Sequence, residues 1–198
     1  MPDARPLTEA QEGLWYAQPL DPANPILNTG QYLDLRGPVD LDALHQALTR
    51  TLAETEALRL RFDRGPDGPR QWLDSAPILP AVVETTEAEA LAMMRADSDR
   101  PLDLAAEPAA AFTIFILGPD RVLVYERIHH LAIDGYGMVL LTNRIGEHYS
   151  AITTGGPVPL PFPPLDRAHE EDAAYRASDK RTADAAWWRD RMAGLPEV

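Results

Sequence analysis

The chain has 198 residues, 45% of them apolar, no cysteine, and a formal net charge of −13. That length can bury a real core in one domain, and the apolar share is that of a globular protein, not a disordered one. Without cysteine there are no disulfides, thiolate metal sites or cysteine nucleophiles. The acidic balance argues against nucleic acid, and no apolar run or leader marks a bilayer span or signal peptide, so a cytoplasmic protein without membrane attachment is expected.

In chain order, Thr8 to Gln11 fits a capping box, with Thr8 as N-cap and Gln11 reaching back at N3, and predicts a helix to about Ala17. Pro19, Pro22 and Pro25 break it into an extended loop. Gln31 to Leu35 alternates like a strand that Gly37-Pro38 ends, and Asp40 caps a helix with Leu41, Leu44, Leu48 and Leu52 on one face. The turn residues 64–69 separate two strand-like runs, one ending at Phe62 and one resuming near Gln71. Pro80 to Thr85 is a further strand candidate, and Thr86 to Glu89 is a second capping box opening a helix through Leu91 and Met94. Phe112 to Leu117 and Val122 to Ile128 flank Gly118-Pro119-Asp120 as a hairpin. Met138, Leu141, Ile145, Tyr149 and Ile152 then recur at helical spacing. A proline-rich crossing segment over 155–166 leads to two final helices, the last carrying Trp187, Trp188, Met192 and Leu195 with Gly194 as its cap.

The stretch that organises this order is 127–135, where a strand ends at His129-His130 and Asp134-Gly135 feeds a helix. Successive side chains of an extended segment point to opposite faces, so only one of the two histidines faces any given cavity. On residue types alone three readings stand: a structural pair with one histidine buried, a metal site with Asp134, or an acyl-transfer site. Adjacent, diverging imidazoles with no third nearby speak against metal, and none is expected. His45, His148 and His169 read as surface or cap residues. Glu126 and Glu147 read as solvated or ion-paired.

The spacing His129-His130-x-x-x-Asp134-Gly135 resembles the core motif of the condensation domains of nonribosomal peptide synthetases, within the wider chloramphenicol-acetyltransferase-like fold. Leu7 to Gln18 resembles the first motif of that family. Glu56, Leu58, Arg59 and Phe62 keep the second, with Glu54 and Thr55 where Arg and His are expected. Tyr175, Ala186-Trp187-Trp188-Arg189 and Leu195-Pro196 resemble the fourth and its following helix. The first motif, the run Leu58-Arg59-Leu60-Arg61-Phe62 and the pair Tyr136-Gly137 resemble most the enterobactin-synthetase type, whose donor is an aryl acid or other starter.

The resemblance implies an α+β (α/β sandwich) fold: one chloramphenicol-acetyltransferase-like lobe, with a mixed sheet covered by helices. Residues 1–198 then form the N-terminal lobe, with the C-terminal lobe absent. The implied reaction is amide formation between a donor thioester and an acceptor amine. Both are carried on phosphopantetheine arms of peptidyl or aryl carrier proteins, with no cofactor bound directly. His130 is implied as the catalytic histidine, supported by His129, Asp134 and Gly135. Gly135 lets a backbone N–H approach the substrate, and Arg59 forms a structural ion pair with Asp134. The implied partners are the carriers, the second lobe and an adenylation domain. Epimerization-type and non-catalytic carrier-docking members of the fold are the alternatives.

Overall fold

A computed structural model describes residues 4–21 and 23–195. Pro22 and Pro196, both used in the sequence reading, lie outside the described residues. The strands are β1 (Arg5–Pro6), β2 (Asn28–Arg36), β3 (Leu60–Gly65), β4 (Gly68–Leu73), β5 (Ala81–Glu84), β6 (Ala110–Gly118) and β7 (Arg121–His129). The helices are α1 (Glu9–Ala17), α2 (Leu41–Glu54), α3 (Glu87–Ser98), α4 (Gly135–Thr154), α5 (Asp166–Arg176) and α6 (Asp179–Met192). The main sheet runs β2-β7-β6-β5 and is mixed, because β5 pairs parallel to β6 while the other pairs are antiparallel. A small antiparallel sheet runs β1-β4-β3.

Both capping boxes form: Thr8 with Gln11 opens α1, and Thr86 with Glu89 opens α3. Asp40 caps α2 through the Ala43 N–H at 2.9 Å. Each cap satisfies N–H groups that a helix start leaves without partners. Where the three prolines predicted an extended loop, a single 3-10 turn over Gln18–Leu20 comes first. Gly155, at φ +68°, ends α4 in the left-handed conformation that favours glycine.

Helices cover the main sheet on both faces. Leu44, Leu48 and Leu52 of α2 and Leu141 and Ile145 of α4 pack on Val122, Val124 and Ile128. Ala90 and Met94 of α3 pack on Phe115, Leu123 and Tyr125 from the other side. A side chain as fully buried as Leu48 or Leu123 stabilises the fold by about 1.5–3 kcal/mol. The consequence for β7 is that every residue from 122 to 129 is buried. The strand therefore takes Glu126 and Arg127 inside.

A third cluster joins the small sheet to the loop after β7. Leu7, Leu60, Phe62, Leu102, Leu104 and Leu131 pack together there, with Trp15 against them. The crossing segment is held by Arg144 of α4. Its guanidinium donates to Glu54 at 2.7 Å and to the Leu160 carbonyl at 2.6 Å, pairs with Glu147 at 2.9 Å, and stacks on Phe162 at 4.1 Å. Glu54, the residue that departs from the expected motif arginine, is thus a charge partner for α4.

Candidate active site

The main-chain hydrogen bonds of β7 continue past its end and fix the turn. The His129 N–H donates to the Ala109 carbonyl and the His130 N–H to the Leu27 carbonyl, each at 2.8 Å. Ala132 N–H closes a turn onto the His129 carbonyl at 2.9 Å. Both histidines are therefore anchored by backbone to neighbouring strands before their side chains are considered.

Their side chains separate as strand alternation requires. His129 is 1% exposed and its Nδ1 accepts from the Leu131 N–H at 3.2 Å. That acceptor role places the neutral ring's proton on Nε2, which has no partner. Burial first, then the charges of His130 and Arg127, pull its pKa down to about 4. His129 is a neutral, interior ring at physiological pH. His130 is only half-buried and is the one of the pair that solvent and a substrate can reach.

Asp134 is the N-cap of α4. Its Oδ1 accepts from the Gly137 N–H at 2.8 Å, and its carbonyl accepts from Met138 N–H at 3.0 Å. The N–H groups of Gly135 and Tyr136 have no hydrogen-bond partner among the described residues, and both residues are exposed. They lie at the positive end of a 20-residue helix. A Cβ on Gly135 would meet nothing within 4 Å, whereas one on Gly137 would lie 2.5 Å from Ile133 Cγ1. Of the two, Gly137 is the tightly packed glycine.

The expected Arg59–Asp134 ion pair is not formed. Arg59 sits on the 3-10 turn Glu56–Arg59 before β3, and its Nη1 donates to the Asp74 carbonyl at 3.3 Å. Asp134, exposed, spends its carboxylate on its own helix. An aspartate preceding a helix satisfies nearby N–H groups without any long-range partner, which is the competing interaction that wins here.

A family model described as a condensation domain matches residues 1–198. The chain belongs to the condensation-domain family. It is 40% identical, over its whole length, to a dimodular nonribosomal peptide synthase of Bacillus subtilis (strain 168), of which it covers 9%. It is 31% identical to enterobactin synthase component F of Escherichia coli (strain K12), matching over 96% of this chain and 16% of that protein. Among solved condensation domains, a variant of the starter condensation domain of rhizomide synthetase, in complex with C8-CoA, superposes with a TM-score of 0.90 at 32% identity. That match covers 98% of this chain and 46% of the other. The first condensation domain of the calcium-dependent antibiotic synthetase, in complex with a substrate analogue, gives 0.83 at 35%, covering 98% and 48%. The chain thus spans about half of these solved condensation-domain chains and a small part of the synthetases.

Several residues of this condensation-domain chain differ from their sequence reading. His148 is 4% exposed, with Nε2 3.4 Å from Glu54, and is an interior residue rather than a surface one. His45 and His169 are half-buried. Glu126 is 1% exposed and neither solvated nor ion-paired; it accepts from Gln31 and from Thr142 of α4, and burial raises its pKa. Glu147 is ion-paired with Arg144, as expected. The second-motif Glu56 accepts from the Leu165 N–H at 2.8 Å, which ties the start of α5 to that motif.

No helix among the described residues is long and apolar enough to cross a membrane.

Proposed function

We propose that this chain is the N-terminal lobe of a nonribosomal peptide synthetase condensation domain, and that His130 is its catalytic histidine. The observation that carries the reading is the division of labour in the histidine pair. His129 is locked inside as a neutral ring, and His130 stands accessible in the turn that leads to the free N–H groups of the α4 N-terminus.

The chemistry follows from those two features. The acceptor amine attacks the donor thioester carbonyl, giving a tetrahedral oxyanion. Collapse breaks the C–S bond, the amide nitrogen gives up one proton, and the donor arm leaves as a thiol once it is protonated. The accessible imidazole of His130, with one ring nitrogen that accepts and one that donates, is suited to hold the amine by hydrogen bonding and to carry that proton. The N–H groups at Gly135 and Tyr136 are donors of the kind that stabilise developing negative charge. His129 keeps the turn's geometry, and Asp134 fixes the helix start.

Both substrates are carried on phosphopantetheine arms of carrier proteins, with the second lobe completing the site and an adenylation domain further along the same synthetase. The likeness to a starter domain in complex with C8-CoA and to an enterobactin synthase component supports a donor that is an acyl or aryl starter. Exposed Trp187, Trp188, Met192 and Leu195 on and just after α6 support further protein covering that helix. The segment 155–166 is then the crossing segment of the lobe, held by Arg144.

The test loads a donor acyl group and an acceptor amino acid on separate carriers and follows amide product by mass spectrometry. The two-lobe domain forms product; the 198-residue chain alone does not. Two-lobe domain that leaves both carriers loaded contradicts the proposal.

A further inference from the structure

The loop that presents His130 is also held by a side chain from a distant helix. Gln11 of α1 donates from Nε2 to the Leu131 carbonyl at 2.9 Å, one residue beyond His130 and 120 positions away in the chain. The same Nε2 donates to Gln71 Oε1 at 3.1 Å. Gln11 Oε1 accepts from the Thr8 N–H at 2.9 Å and from Gln71 Nε2 at 2.7 Å. Gln71, 1% exposed, gives its other N–H to the Pro6 carbonyl at 3.1 Å.

The orientation of both amides follows from their fixed partners. A backbone N–H only donates and a carbonyl only accepts, so Thr8 N–H and Leu131 O together set which end of Gln11 is oxygen and which is nitrogen. The Pro6 carbonyl does the same for Gln71. All four side-chain N–H bonds of the pair then have acceptors, so the network is closed and rigid. With the His130 N–H already held by the Leu27 carbonyl, the peptide unit before His130 and the one after Leu131 are both pinned.

We infer that Gln11 is a positioning residue for His130, acting through the Leu131 carbonyl, a role that rests on the proposed catalytic function of His130. Its part in the capping box needs only an acceptor at N3, which Glu supplies as well as Gln. Its part in holding the loop needs a donor, which a carboxylate is not. Gln11→Glu therefore separates the two roles, and protonation of the introduced acid restores a donor.

The first measurement is amide hydrogen exchange in the 198-residue chain. In Gln11→Glu at pH 8, exchange at His130 and Ala132 should rise about tenfold over wild type, with the interior of β6 and β7 unchanged, the size expected for losing one such hydrogen bond. The difference from wild type should shrink at pH 5, where the acid donates. The second is condensation in the two-lobe domain: kcat about tenfold down at pH 8 with KM for the acceptor unchanged, and a variant-to-wild-type ratio that recovers as pH falls. Thr8→Ala, which removes the cap and leaves Gln11 on Leu131, should lower the melting temperature yet leave exchange at His130 and kcat at wild-type values. If the carboxylate prevents folding at pH 8, Gln11→Met gives the same loss without pH dependence.

Wild-type exchange at His130 and Ala132 in Gln11→Glu at pH 8 overturns the inference, as does a kcat loss that Thr8→Ala reproduces. A wild-type domain that makes no amide at all overturns the proposed function instead, and the exchange comparison still decides whether Gln11 holds the loop.

Discussion

Asp134 Oδ1 accepts a hydrogen bond from the Gly137 N–H at 2.8 Å, so the aspartate of the His-His-x-x-x-Asp-Gly spacing acts as the N-cap of α4. Its carboxylate is exposed and has no arginine partner among the described residues. Replacing a capping Asp by Ala costs about 1 kcal/mol, whereas breaking a buried ion pair costs about 3–5 kcal/mol. Asp134→Ala should therefore lose about 1 kcal/mol in urea unfolding, and Asp134→Asn should lose less. Arg59→Met should leave the effect of Asp134→Ala unchanged in a double-mutant cycle. A coupling well above 1 kcal/mol between the two positions would restore the ion pair.

His129 gives the fold a pH dependence of known sign. Its folded pKa is depressed to about 4, against 6.5 for a free imidazole. Between those values the unfolded chain binds the proton and the folded chain does not, so stability rises with pH there. The contribution is fully present above pH 6.5 and lost as pH falls toward 4, on the order of 3 kcal/mol across the window. Unfolding free energies at pH 7 and pH 5 should differ in wild type and differ much less in His129→Asn, which keeps an acceptor for the Leu131 N–H. Equal slopes in the two proteins would contradict the buried, neutral assignment.

Arg127 sits on the opposite face from Glu126, with its side chain 3% exposed and Nε 2.9 Å from Asp97 of α3. One of its nitrogens, Nη1, is buried without a partner. Arg127→Met should cost about 1.5–3 kcal/mol, the range for losing a hydrogen bond to a charged group, because Asp97 is half-buried and keeps Tyr125 at 3.1 Å and Arg100 at 3.8 Å. Adding Asp97→Asn should recover part of that loss. Denaturant unfolding of the single and double variants checks both expectations, and a single variant as stable as wild type would show that the pair carries no weight.

Local chemistry was the legible part of this chain. The capping boxes at Thr8 and Thr86, the cap at Asp40, the hairpin around Pro119 and the helical period of Met138, Leu141 and Ile145 are each decided by a few neighbouring residues. Side-chain partners across the fold were not. Arg59 lost Asp134 to a local cap, and His148 went inside because α2 supplied Glu54 to meet it. Glu126 read as solvated or ion-paired, yet a strand has a wet face only where one face is uncovered, and here α3 covers one face of β7 while α2 and α4 cover the other. The role of Gln11 at Leu131 depends on two segments 120 residues apart and on an amide orientation that no spacing encodes. The histidine pair was half legible: alternation said that the two side chains diverge, and the structure buries His129 and leaves His130 half-buried.

The most direct test of the account compares His130→Ala with His129→Asn in the two-lobe domain, with donor and acceptor loaded on carriers. His130→Ala should keep the wild-type melting temperature and lower condensation by roughly 100-fold or more, as loss of a proton-handling group does. His129→Asn should show the reverse balance, with altered stability and a smaller loss of rate. A His130→Ala domain that condenses at the wild-type rate would contradict the assignment of the catalytic histidine.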